Sequence, residues 1–490
     1  MSRPAQSRGS MKANVPGRGG VCRTEVVCRT EVVERINQPD LPDSLLSSSM
    51  TTLSSPVRTL GLVIMLSAAV SAQITPAERP FGAGAFTKGE FAARRAKVYD
   101  AIGDGMVILY GAPKRERYRR WRQHNNFFWL CGVERADTVL VLDGKKREAT
   151  LFTKRIKAGA TAEQERTGLE HVVSIGRFEP ILIELTKDAK RLYLPRWPGE
   201  GSAQARDSFS RWGKPDPPFD GRSSRPQDFR SGILRIAGEK EVKDLETILD
   251  PLRRVKSAAE IAVMRKAARI GAIAIRDAIT ATRPGILEAE LQGVVELACL
   301  RAGAHASAWT PIVAAGPNIT DFHYMDNQRR LVADDMVLID AGPDYAYYTT
   351  DITRVWPTSG TYPKRWREIY DKLLIVHRKT IAAVKPGMTY RKLTGILRSE
   401  ARAQGIANLV VGGAGHYTGM SPHDVGSWGE PFVAGVVFNV EPLVIVPEEH
   451  LHIRFEDTVL CTENGGEVLT PLDVLPWGAD ALLKIRDEQR

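Results

Sequence analysis

Two stretches of this chain, about a hundred residues apart, repeat one another. RPGILEAELQGVV begins at Arg283 and KPGMTYRKLTGIL at Lys385, with Leu291 over Leu393 and Gly293 over Gly395. In each copy a helix stops at Pro-Gly, a second helix starts, and a pair of apolar strands follows. The strands read MVLIDAG…TTDITRVW in the first copy and VVFNVEPLVIV…HIRFEDTVL in the second. A long unit present twice predicts one domain built from two related halves. Superposing the copies sets Asp340 within one residue of Glu441, and Asp351 near Glu456.

Those carboxylates fall where the strands should be most buried. A lone buried carboxylate costs several kcal/mol unless it is paired, hydrogen-bonded or bound to a cation. Beside Gly342-Pro343, aspartates could simply cap a turn, but the matching glutamates in the second copy favour a shared site. Four acids converging on a pseudo-twofold axis need neutralising, and two divalent cations bridged by carboxylates would do it, forming a hydrolytic site. In HLHIRFED, His452, Arg454 and Glu456 alternate onto one face, so Arg454 points where Glu456 points. It would pair with a ligand carboxylate or meet a substrate carboxylate. The glycine-rich stretch GGAGHYTGMSPHDVG presents His416 and His423, either of which could give the cluster a nitrogen donor, and His323 lies just ahead of the first strand pair. Acids with one imidazole suit Mn²⁺, Co²⁺, Fe²⁺ or Zn²⁺ over thiophilic ions.

The rest of the chain sets the frame. At 490 residues it has length for two sizeable cores. From Phe81 to Arg206 the strand-like runs GMVILYG, TVLVLDG, ATLFTKR and RLYLPRW, with the helical KGEFAARRAKVYDAI, predict a separate α/β unit. Arg211–Arg230 reads as a linker rich in Pro, Gly and Ser. The expected domains are therefore 81–230, linker included, and 237–490. Ser257–Glu260 forms a capping box that opens a helix with Ile261, Met264, Ala268, Ile275 and Ile279 on one face.

The formal charge of +10 is dispersed. Its densest run, Lys114–His124, reads as a solvated face or interface loop, and no nucleic-acid partner is expected. The Arg- and aromatic-rich composition of Arg115–Trp129 suggests a homodimer or higher homo-oligomer. Arg58, the apolar stretch Leu60–Val70 and the small-residue site Val70-Ser71-Ala72 have the layout of a secretory signal peptide, residues 50–72, too short for stable membrane insertion. That implies export to a periplasmic or extracellular space, with Met50 as the start and residues 1–49 a non-native or disordered extension that contains the tandem CRTEVV duplication. Beyond it only Cys131, Cys299 and Cys461 remain, which predicts buried thiols and no disulfide framework.

The motifs IVAAGPN…HY, LIDAG…YYTTDITR, GHYTG…HDVG, VEPLVIV and IRFEDTVLCTENGGEVLT carry a resemblance. Pro311–Pro471 resembles the catalytic domain of the Xaa-Pro aminopeptidase/prolidase family of dinuclear metallopeptidases, the pita-bread fold. YRRWRQHNNFFWLCGVERADTVLVL resembles that family's creatinase-type N-terminal domain, and PLRRVKSAAEIAVMRKA its entry to the catalytic domain. The resemblance implies that Asp351 and Glu456 bridge two metal ions, that Asp340 holds one, and that His416 and Glu441 hold the other. Mn²⁺ comes first, with Co²⁺, Fe²⁺ or Zn²⁺ as alternatives. It gives Glu441 the proton shuttle from a metal-bound hydroxide, has His323 and His423 hydrogen-bond substrate and intermediate beside Arg454, and makes Thr353 and Arg354 supports of the ligand strand. The implied activity is aminopeptidase cleavage of the Xaa-Pro bond in short peptides with proline second. The alternatives are an Xaa-Pro dipeptidase and, further off, a non-peptide hydrolase, a lyase or a non-catalytic binder. Two departures touch specificity: family aminopeptidases usually carry another histidine where Gly412 stands, and the stretch between Glu441 and Glu456 is short.

Overall fold

In a computed structural model the strands that carry the acids come together through two helix pairs. The structure describes residues 82–114, 120–154, 164–165, 167–197 and 223–488. The expected extension, CRTEVV duplication and signal peptide lie outside them, as do 115–119 and 198–222. The described residues all belong to one compact unit, Ala68–Arg490.

Its N-terminal part begins with helix α1 (Lys88–Ile102), capped by Thr87, whose hydroxyl accepts from the Glu90 amide. Strand β1 (Met106–Tyr110) and helix α2 (Asn125–Cys131) follow, then β2 (Val139–Asp143), β3 (Glu148–Thr153), β4 (His171–Ser174), helix α3 (Phe178–Thr186), β5 (Arg191–Leu194), helix α4 (Arg225–Ala237) and β6 (Glu241–Asp244). They form a six-stranded sheet ordered β4-β3-β2-β1-β5-β6. Side chains alternate across it. Val107, Leu109, Leu140 and Leu142 join the main core, while Met106, Ile108, Val141 and Leu192 form a second cluster with Leu182 of α3 and Ile233 of α4.

Two expectations change here. Arg225–Arg230 is not linker but the start of α4, opened by a Ser224–Gln227 capping box. The border expected at 237 falls inside the N-terminal sheet, because β6 pairs in parallel with β5, Arg191 opposite Glu241. Its sequence EVKD has no apolar run, so an edge strand leaves no pattern to read.

Helix α5 (Glu246–Arg254) leads to α6 (Ala258–Ala281) and α7 (Glu288–Arg301). The Ser257–Glu260 box opens α6 as expected, and Met264, Ala268, Ile275 and Ile279 are buried along it. Next come β7 (Ala306–Ser307), β8 (Ile312–Ala315), β9 (Met336–Ala341), β10 (Pro343–Asp344) and β11 (Ile352–Pro357). The second half repeats the order with α8 (Lys364–Ala382), α9 (Tyr390–Ala403), β12 (Val410–Val411), β13 (Val437–Val440), β14 (Leu443–Val446), β15 (Leu451–Arg454), β16 (Asp457–Thr462), β17 (Gly465–Val468) and a last helix, α10 (Ala479–Asp487). α6 packs on α7 as α8 packs on α9, so the sequence repeat is a structural one. The strands of both halves line the inside of these pairs. Cys131, Cys299 and Cys461 are buried free thiols.

Candidate dinuclear metal centre

β9 and β11 form a regular antiparallel ladder from Ile352 opposite Ala341 to Pro357 opposite Met336. Asp340 therefore lies within the ladder and Asp351 at its mouth. In the second half the ladder breaks. β13 pairs with β16 up to Val440 opposite Asp457, and β14 pairs with β15 from Leu443 opposite Arg454. Between them stand Glu441-Pro442 and Phe455-Glu456. Pro442 has no N–H to give, and its carbonyl accepts from the Phe455 amide at 3.2 Å. The break turns Glu441 and Glu456 towards Asp340 and Asp351.

His416 sits among them. Its Nε2 lies 3.2 Å from Glu456 Oε1, 3.7 Å from Asp351 Oδ2 and 3.9 Å from Glu441 Oε2. Asp351, His416 and Glu456 each offer a ligand atom within 4.8 Å of the others. The loop can bring His416 this close because it begins with glycines: a Cβ at Gly415, where φ is +134°, would stand 1.8 Å from the Asn439 carbonyl oxygen. His423 comes back over His416, the rings stacked at 3.9 Å and 17°. Arg454 donates from Nη2 to Asp340 Oδ2 at 2.8 Å and from Nη1 to Glu441 Oε1 at 3.4 Å, so its fork holds ligands of both halves. Its guanidinium lies 5.2 Å from the Phe322 ring centroid, and the exposed His323 packs edge-on against the same ring at 4.7 Å. The structure thus gathers Asp340, Asp351, His416, Glu441, Glu456, Arg454 and His423 at one point, with His323 on the adjoining loop.

The charges are in conflict without cations. Burial raises the Asp340 carboxyl against the pull of Arg454, and raises Asp351 well above the usual range with help from the charges of Asp340 and Glu456. Burial and Glu456 push Glu441 up to about 8. Burial works the same way on Glu456, but the hydrogen bond and charge of His416, with Arg454 and Asn439, hold it at about 2. For His416, burial opposes the charged ring, yet Glu456 and Glu441 raise it to about 9. A bound cation would displace that proton, since imidazole ligates only when neutral. Asp340 Oδ1 and Asp351 Oδ1 are buried with no hydrogen-bond partner. Two unsatisfied carboxylate oxygens facing one imidazole and two glutamates fit a pair of divalent cations.

Supporting residues escaped the sequence reading. Asn439 Nδ2 donates to Glu456 Oε1 at 2.9 Å, and Thr458 Oγ1 donates to Asn439 Oδ1 at 2.8 Å and accepts from the Asp351 amide at 3.1 Å. Each stands two residues from a ligand, on its face, so the alternation that picked out Arg454 could have found them. Thr353, already expected to support the strand, donates to Glu456 Oε2 at 2.8 Å. Arg354 reaches the Glu456 carbonyl at 3.1 Å and Asp457 Oδ1 at 2.8 Å, while His377 Nε2 lies 2.8 Å from Asp457 Oδ2. No local signal tied His377 of α8 to Asp457.

A pseudo-twofold α/β domain whose facing hairpins bring together four acids, joined by His416 from a glycine-rich loop and preceded by a separate six-stranded α/β part, defines a class: a two-domain metallohydrolase of pita-bread architecture. Residues 262–463 match "Metallopeptidase family M24" and residues 91–193 match "Aminopeptidase P, N-terminal domain". The chain is 28% identical over 433 residues to the Xaa-Pro aminopeptidase of Escherichia coli K12, covering 78% of this chain and 95% of that one. It is 32% identical over 235 residues to the Xaa-Pro dipeptidase of Pyrococcus furiosus, covering 47% and 67%. Its fold superposes on zinc-substituted E. coli aminopeptidase P in complex with product with a TM-score of 0.71 and 25% identity, covering 83% of this chain and 99% of that one. The chain belongs to metallopeptidase family M24.

Proposed function

We propose that the protein is a metal-dependent aminopeptidase that cleaves the Xaa-Pro bond at the amino terminus of short peptides. The observation that carries this is the convergence of Asp340, Asp351, His416, Glu441 and Glu456, with two carboxylate oxygens still unsatisfied. Two divalent cations there would supply an activated water and a Lewis acid for the substrate carbonyl; the carboxylate-rich donor set favours Mn²⁺.

The chain's own residues supply the rest. Glu441, one oxygen held by Arg454, can take a proton from the attacking water and pass it to the departing nitrogen. His423, stacked on His416, and His323, on the neighbouring loop, can donate to the carbonyl oxygen as charge gathers on it. An Xaa-Pro bond is a tertiary amide without an N–H. None of these groups needs that donor, so proline is no obstacle. The surrounding carboxylates favour a free terminal ammonium.

Arg454 favours the aminopeptidase over the dipeptidase reading. Its side chain is buried and both its terminal nitrogens are engaged with Asp340 and Glu441, so its end-on fork is already committed to acids of the cluster and not held out to a dipeptide's carboxylate. The loop between β14 and β15 is only Pro447–His450, and a loop this short supports a site that admits a chain continuing past proline. The test is a matched pair, Xaa-Pro against Xaa-Pro-Yaa, with Mn²⁺ supplied after chelation. Cleavage of the tripeptide is expected; cleavage of the dipeptide alone would make the enzyme a prolidase, and cleavage of neither would end the peptidase reading.

Export is proposed on the sequence pattern at Arg58–Ala72, and mature protein should begin at or near Gln73 on terminal sequencing. Among the described residues no helix is long and apolar enough to cross a membrane. Self-association is proposed on narrower ground than the Arg115–Trp129 run first offered. Gln123, Asn125 and Phe127–Trp129 are buried within the chain, and 115–119 lie outside the described residues, so the proposal rests on the composition of the run alone. Light scattering at micromolar concentration tests it.

A further inference from the structure

The turn joining Asp340 to Asp351 has an uncommon backbone. Ala346 and Tyr347 are consecutive non-glycine residues with φ of 49° and 72°, in a tight turn closed by Tyr345 and Tyr348. A bulky aromatic there is an outlier, and such conformations persist only where the surroundings over-determine them. Here the surroundings come from the N-terminal part of the chain.

Arg122, just ahead of α2, donates from Nε to Asp344 Oδ2 at 2.9 Å and from Nη2 to the Tyr347 carbonyl at 3.2 Å. Its guanidinium lies 4.4 Å from the centroid of the Tyr347 ring, which stacks on Phe128 at 3.6 Å. The Tyr347 hydroxyl donates to Glu134 and accepts from the Gln123 amide. The same segment holds a second loop. Arg122 Nη2 also reaches the Met420 carbonyl at 3.4 Å, and Asn125 Nδ2 donates to that carbonyl at 3.2 Å and to Ser421 Oγ at 3.0 Å. Met420 and Ser421 lie between His416 and His423. The Thr349 amide ties the two loops together through the Gly419 carbonyl at 2.8 Å.

We propose that Arg122 is a positioning residue for the metal centre: from the N-terminal part of the same chain it clamps the turn between Asp340 and Asp351 to the loop between His416 and His423. One guanidinium thereby spans ligands of both halves without touching any of them. The inference rests on the reading of those residues as a metal site.

The test titrates Mn²⁺ alone into chelator-stripped full-length protein by calorimetry, with thermal unfolding alongside. Arg122→Ala should weaken Mn²⁺ binding by about tenfold or more, the scale seen when an outer support of a ligand is lost. Ala346→Gly relieves one of the two left-handed positions in the turn without the clamp, so adding it to Arg122→Ala should recover part of that affinity. A purely structural role for Arg122 would not give this rescue. Binding by Arg122→Ala within about twofold of wild type, or a double variant no better than the single, overturns the proposal. Should Arg122→Ala not fold, Arg122→Lys decides. Lysine keeps the charge beside Asp344 but lacks the planar fork, so weakened binding supports the clamp and wild-type binding overturns it. Wild-type protein that takes up no Mn²⁺ sinks the metal reading and this inference with it, whereas wild-type uptake left unchanged in every variant sinks this inference alone.

Discussion

The two ligand hairpins solve one problem in opposite ways. In the first, Asp340 sits in an unbroken ladder and Asp351 at its mouth, and each keeps a buried Oδ1 with no partner. In the second, the ladder is interrupted at Pro442, and Glu456 has both oxygens engaged, by Asn439, His416 and Thr353. The regular hairpin offers unsatisfied charge and is secured from outside, through its turn. The broken hairpin is secured at the carboxylate itself. On the proposed reading as a metal site, a duplicated unit has thus kept its four acids while dividing two tasks, attracting the cations and fixing their positions.

Breaking the first task should have the largest effect. Asp351→Asn should lower turnover more than about a thousandfold while leaving the fold intact, because the loss of a bridging charge releases at least one metal. Metal analysis beside circular dichroism checks both halves of that statement, and near-normal turnover with two metals bound would refute the assignment. Arg454→Ala frees Asp340 and Glu441 together. A loss of about a hundredfold in kcat is expected, with retained tripeptide specificity in a side-by-side assay.

The raised carboxyls predict a pH effect on binding. Burial and the charge of Glu456 raise Glu441 to about 8 in the cation-free cluster, so below that pH a proton must leave before a cation can take its place. His416, raised to about 9, must lose its proton as well, so Mn²⁺ affinity should fall by more than about tenfold per unit as pH drops from 8 to 7, seen as earlier metal release in a chelator competition. An affinity flat from pH 6 to pH 8 would contradict it. The smallest effect should come from the second hairpin's internal support. Thr353→Val removes one of several donors to Glu456, and about threefold to tenfold weaker metal binding is expected with roughly 1–2 kcal/mol of lost stability. A larger effect than Arg454→Ala would erase the distinction drawn between the hairpins.

Much of this was legible in the chain. The repeated Pro-Gly helix starts anticipated the α6–α7 and α8–α9 pairs, and the strand acids anticipated the centre, because both leave periodic marks in sequence. Arg454 was legible for the same reason, two residues from Glu456 on a strand. What stayed hidden depends on distance along the chain. Arg122 meets Asp344 across 222 residues, and the Trp129 indole donates to Glu260 Oε1, an oxygen that also accepts from Tyr348. Composition marked Arg115–Trp129 as sticky, and could not say that Arg122, Asn125 and Trp129 within it bond to the C-terminal part of the same chain. The β6 edge strand was missed because backbone pairing, not apolar pattern, places it.

The burial of the three free thiols gives the molecule an internal clock for local opening. A chain begun at Gln73 carries only Cys131, Cys299 and Cys461. Cys131 ends the helix that starts at Asn125, Cys299 lies on α7, and Cys461 is on β16 beyond Glu456. A thiol reagent can modify each only when its own neighbourhood opens, so three labelling rates would rank the breathing of three regions in one experiment. The rate at Cys131, compared with and without Mn²⁺, would tell whether loading the metal centre quietens a helix in the other half of the chain.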